Sequence, residues 1–124
     1  MIDQLKPGRE LDALIAEKVM GCQVAQDSET GDFVQWEPAY TEALGHGFYE
    51  RHGRVPNYST DISAAWAVIT HLYEQLGCEH AVTSWDEGGA QVHFHTPNHS
   101  VDVMSRSDTV AHAICLAALK AVEP

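Results

Sequence analysis

Three segments of the chain repeat their apolar residues at helical spacing, and one alternates them at strand spacing. In residues 9–20, Leu11, Leu14, Ile15 and Val19 line one face, while Arg9, Asp12 and Glu17 are assigned to water. Pro7 and Gly8 precede this run, Glu10 and Asp12 suit its first turn, and Gly21 follows it. Those signals predict a helix over 9–20.

The second helical segment is "YSTDISAAWAVITHLYEQLG", with Ile62, Ala65, Trp66, Ile69, Leu72 and Leu76 as its apolar stripe. Ser59 or Thr60 is the expected cap, Asp61 suits the positive end and Gly77 the stop. "AVTSWDEGGAQVHFHT" alternates as a hairpin turning at Asp86–Gly89, with Val92 and Phe94 on one side and His93 and His95 on the other. A third strand is expected in "SVDVMS". "SDTVAHAICLAALKAV" closes the chain as a helix capped near Ser107 or Asp108, with Ile114, Ala117, Ala118 and Ala121 on its packing face.

Residues 23–56 give weaker signals. "DFVQWEP" fits a short strand, but three glycines in "YTEALGHGFYERHGR" break any helical pattern. The stretch from about 26 to 56 therefore reads as an irregular, insertion-like segment. The whole is one α+β domain, residues 1–124, with a small antiparallel sheet sandwiched by helices in α-β-α layers.

Taken in order, "LDALIAEKVMGC", "YSTDISAAWAVITHL", the Trp-bearing hairpin and "AICLAALKAV" resemble the phage ABA sandwich domain, a small domain of phage and prophage proteins. Cys22 departs from the pattern, standing where an aromatic residue is expected after the Met-Gly pair, and Gln26–Val55 is longer and richer in His, Gly and Tyr. The resemblance implies the layered fold and a phage origin. It carries over no catalytic residues.

Charge narrows the function. Eighteen Asp and Glu against seven Lys and Arg give a formal net charge of -11, which argues against direct nucleic-acid binding and against an anionic membrane surface. No apolar run is long enough to span a bilayer, and the N-terminus lacks the features of a signal peptide. The expected location is the cytoplasm of an infected host cell. Cys22, Cys78 and Cys115 are far apart and odd in number, so reduced, buried thiols are expected.

In so acidic a chain, "RHGRVPNYST" concentrates positive charge just ahead of a helix start. Free N–H groups there favour anions, and Arg51 and Arg54 add forked donors suited to phosphate. Tyr58 and Trp36 are candidates to stack on a base, Ser59 and Thr60 to contact the anion, and His46 and His52 to add donors. Arg106, in "SRSDTVAHA", repeats the arrangement before the last helix. The competing reading is a plain helix cap with arginines paired to Glu42 or Glu50.

His93, His95 and His99 form a weaker metal candidate, since His-x-His on a strand puts both rings on one face. No Gly-x-Ser-x-Gly, Walker loop or Cys beside an evident His is present, so the chain reads as a binding protein rather than an enzyme, with no cofactor expected. The leading expectation is a non-enzymatic phage protein that sequesters a phosphorylated small molecule, such as a cyclic nucleotide or an ADP-ribose derivative. Two alternatives stay open: an acidic inhibitor that occupies a host defence or nucleic-acid-binding protein, and a metal-dependent hydrolase using the histidines. Small residues on the last helix would serve either the core or a homo-oligomer interface.

Overall fold

The computed structural model describes residues 2–38, 49–85 and 87–123, with backbone alone for Glu37, Pro38 and residues 49–52. After a 3-10 turn at Ile2–Gln4, α1 (Arg9–Leu14) runs directly into a π-helical turn (Ile15–Val19). Strands β1 (Gln23–Gln26), β2 (Phe33–Pro38) and β3 (Tyr49–Arg54) follow, then α2 (Ile62–Leu76). Strands β4 (Glu79–Ser84), β5 (Ala90–His95) and β6 (Asp102–Ser107) precede the closing helix α3 (Val110–Val122).

The class is α+β as expected, with two three-stranded antiparallel sheets, ordered β1-β2-β3 and β4-β5-β6. The hairpin and the third strand lie where their alternation places them. Residues 26–56, expected to be irregular, contribute β2 and β3, whose register pairs Val34 with Arg54 and Trp36 with His52. The helix-breaking glycines of this stretch removed one element type without revealing the other.

Helix α3 is the centre of the molecule. It packs on β5, β6, α2 and the π-helical turn, and Ala113, Ile114, Cys115, Leu116, Ala117 and Ala118 are fully enclosed. Its alanines therefore serve the core, because close approach of neighbours from several sides requires small side chains. Ala90, Val92 and Phe94 on β5 are buried against this layer, while Gln91, His93 and His95 alternate to the outer face.

The two Gly-Cys pairs stop two helices in the same way. Gly21 and Gly77 adopt left-handed conformations, φ 75° and 70°. The N–H of Cys22 bonds the Ala16 carbonyl, and that of Cys78 the Leu72 carbonyl. Each left-handed glycine folds the residue after it back onto the helix and here both thiols are buried. Burial pushes the Cys78 and Cys115 thiols up from their ordinary pKa, Cys115 strongly and with help from the nearby Asp12 carboxylate. Unreactive, protonated cysteines result.

The caps correct the sequence expectation. Asp61, not Ser59 or Thr60, caps α2 by accepting the Ser63 N–H at 2.9 Å. Thr109, not Ser107 or Asp108, caps α3 by accepting the His112 N–H at 3.2 Å. Asp12, assigned to water, is wholly buried. On a helical wheel drawn over the predicted helix 9–20 it falls between Val19 and Ala16, both buried.

Candidate functional site

The stretch ahead of α2 closes on itself. Ser59 is buried, its hydroxyl accepting the Gly8 N–H at 2.9 Å and donating to Asp12 Oδ1 at 2.6 Å. The Ser59 N–H also donates to Asp12 Oδ1, at 2.8 Å. Arg9 answers the other Asp12 oxygen at 3.0 Å through Nη1, donates to Asn57 Oδ1 at 2.8 Å and reaches Asp32 through Nε at 2.8 Å. Arg54 Nε donates to the second Asp32 oxygen at 2.6 Å, and its Nη1 to Asn57 Oδ1 at 3.3 Å.

Two guanidinium groups and two carboxylates thus tie α1, β2, β3 and the approach to α2 into one neutral joint. The Arg9 hydrogen bond, the Phe33 N–H and Arg54 together hold the Asp32 carboxyl down to about 2. A buried aspartate is tolerable only when paired and fully hydrogen-bonded, and Asp12 meets that condition through Arg9 and Ser59. The joint consumes the Ser59 donors that a ligand would use.

Other residues of the first candidate site are placed as follows. Tyr58 is buried, so its ring has no face open to an external base; Thr60 is exposed; Trp36 is half-buried on β2. Arg51 and His52 belong to β3 by backbone pairing with Glu37 and Trp36, but their side chains, like all of His46 and Glu42, lie outside the described residues. Arg54 and Arg106 sit on different sheets and share no hydrogen-bond partner.

The start of α3 is built differently. A cleft of about 380 Å³ opens there, lined by Lys6, Pro7, Arg106, Ser107, Thr109 and His112, together with Asp3, Gln4, Leu5 and Asp108. Arg106 Nε donates to Gln91 Oε1 at 3.0 Å, and its guanidinium lies 5.0 Å from the centre of the Trp85 ring. A cation–π contact and one hydrogen bond hold the group, while among the described residues its two terminal nitrogens have no hydrogen-bond partner.

His112 fixes the walls. Its Nε2 bonds the Leu5 carbonyl at 2.7 Å, and its Nδ1 bonds the Ser107 hydroxyl. A carbonyl can only accept, so Nε2 carries the proton, and in the neutral ring Nδ1 accepts from Ser107. The N-terminal segment is thereby clipped to the first turn of α3. Asp3 is drawn away by Lys120, at 2.8 Å, whose hydrogen bond lowers its pKa. Lys6, exposed, and Arg106 supply the positive charge beside the helix start.

The histidines of the outer sheet face are paired with carboxylates. His93 and His95 lie together, ring centroids 5.0 Å apart. His93 Nε2 is 2.6 Å from Asp102 Oδ1, His95 Nε2 is 3.3 Å from Glu79, and His99 is 3.8 Å from Asp102. The His93 bond lowers the Asp102 pKa. Among the described residues, no three His, Cys, Asp or Glu side chains are arranged to hold a metal ion, and no helix is long and apolar enough to cross a membrane.

The layout of a buried α3 packed on the β4-β5-β6 sheet, α2 and the π-helical turn agrees with comparison by family. The model of the phage ABA sandwich domain matches residues 13–119. The chain belongs to that family. No curated protein and no solved structure matches it. The matched span of this ABA sandwich protein begins within α1 and ends within α3, so Lys6 and the N-terminal wall of the cleft stand outside it.

Proposed function

We propose that this phage ABA sandwich protein binds and sequesters a phosphorylated small molecule, without turning it over, in the cleft at the start of α3. The observation that carries the reading is the meeting of Lys6, Arg106 and the α3 first turn around one cleft. Arg106 presents terminal nitrogens to a phosphate, and the N–H groups of the helix start add to its attraction. Trp85, partly exposed beside Arg106, offers a surface on which a base stacks. Asp108 accepts from ribose hydroxyls.

A volume of about 380 Å³ is at the small end of ligand pockets, which run from roughly 300 to 1,000 Å³. It suits one nucleotide unit, with any second unit extending over Trp85. A phage protein that held a nucleotide immune signal in this way would counter host defence by lowering the signal's free concentration.

The test is a thermal-shift panel of cyclic dinucleotides and ADP-ribose derivatives. At 100 times its dissociation constant a ligand adds about 2.7 kcal/mol of stability, several degrees for a domain of this size. The expected result is a hit, recovered chemically intact, whose shift Arg106→Ala reduces. A panel without shifts, or a hit returned hydrolysed, overturns the proposal.

A further inference from the structure

Helix α2 carries more apolar surface than the core covers. Ala65, Val68, Ile69 and Leu72 are buried, yet Ile62, Trp66, Tyr73 and Leu76 are 48%, 47%, 63% and 43% exposed. At 100° per residue those four fall within an arc of about 80° on one side of the helix. Ile69 lies in the same arc and is buried, so the exposed stripe is continuous with the core. The Trp66 ring stands edge-on to His80 of β4, centroids 5.5 Å apart, which carries the patch from the helix onto an edge strand. Scattered surface hydrophobics are ordinary, but a contiguous aromatic stripe marks an interaction surface.

The sequence around the stripe specifies the partner's charge. From Val55 to Ser105 there is no Lys or Arg, while Asp61, Glu74, Glu79, Asp86, Glu87 and Asp102 are present. On the elements that carry the stripe, the charged groups are Asp61 at the α2 cap, Glu74 on α2 and Glu79 on β4, with no Lys or Arg on α2 or β4 to balance them. A second copy would set one such acidic rim against another, in a chain of formal charge -11, and like charges across an interface are costly. We infer that the stripe Ile62–Trp66–Tyr73–Leu76 docks a partner protein through an apolar segment rimmed with Lys or Arg. This surface is separate from the α3 cleft and does not depend on its ligand.

Three synthetic helical peptides test the inference by fluorescence anisotropy: a Leu/Phe stripe rimmed with Lys, the same stripe rimmed with Glu, and the Lys-rimmed peptide with its stripe replaced by Ser. The first is expected to bind, at least about tenfold more tightly than either control, and to weaken as salt screens the rim. The double variant Trp66→Ser/Tyr73→Ser is expected to lose about tenfold in affinity with its circular dichroism unchanged. Should that variant not fold, Glu74→Lys/Glu79→Lys leaves the stripe intact and is expected to weaken the Lys-rimmed peptide alone. Equal binding of the Glu-rimmed peptide, or of the Ser control, overturns the proposal. So does a dimer in sedimentation that Tyr73→Ser dissociates, since it would give the stripe to a second copy.

Discussion

Arg54 and Arg106 each stand a few residues ahead of a helix, and their surroundings differ in who supplies the anion. Around Arg54 the chain supplies it: Asp32 lies 2.6 Å away, Arg9 shares that carboxylate, and Ser59 is bound into Asp12 beneath. Around Arg106 the chain supplies a neutral amide and an indole face, leaving the terminal nitrogens directed at no internal acceptor among the described residues. A cation near a helix start is thus a joint where a carboxylate returns from elsewhere in the chain, and a receiving surface where none does.

The comparison breaks most readily at the buried carboxylate. Asp12→Ala removes the acceptor for Ser59 and strands Arg9, and is expected to cost about 3–5 kcal/mol, as removal of one partner from a buried pair does; urea denaturation measures it. At the other helix start, Arg106→Ala is expected to leave the urea midpoint nearly unchanged. Ligand binding there should weaken by about 1.5–3 kcal/mol, the range of a hydrogen bond to a charged group. Ser59→Ala leaves the Gly8 N–H without its acceptor and is expected to lose about 1–3 kcal/mol of stability.

Arg54→Ala sharpens the contrast. Its side chain is 55% exposed, so its pairing with Asp32 is worth under about 1 kcal/mol, and ligand binding should not change. The smallest effect is acid dependence. The folded-state pKa of Asp32, about 2, lies below its ordinary 3.8. Its stabilisation is complete above pH 4 and is lost as pH falls towards 2. Urea midpoints of the wild type and Asp32→Asn should therefore converge across that window.

The sequence made the helices and the β4–β5 hairpin legible because local signals decide them: helical spacing, a glycine stop, a Gly-Gly turn. What it hid was long-range. Arg54 reads as a free cation until Asp32, 22 positions earlier, folds back onto it. Asp12 reads as a surface residue by type, although its position between Val19 and Ala16 on the wheel already places it inward. The β1-β2-β3 sheet was obscured because Gly45, Gly47 and Gly53 break the helical pattern without marking a strand, and only β2 alternates clearly. The α2 stripe was legible as apolar but not as half-covered, since periodicity reports which residues share a face and not what meets it. The cleft at α3 needed the N-terminal segment brought beside residue 106, which the His112–Leu5, Ser105–Asp3 and Lys120–Asp3 contacts do.

Calorimetric titration of the nucleotide giving the largest thermal shift, into wild type, Arg54→Ala and Arg106→Ala side by side, tests the contrast most directly. Unchanged affinity is expected for Arg54→Ala and a loss of at least about tenfold for Arg106→Ala, equivalent to about 1.4 kcal/mol. Affinity lost in Arg54→Ala and kept in Arg106→Ala would contradict the contrast and return the ligand to the start of α2.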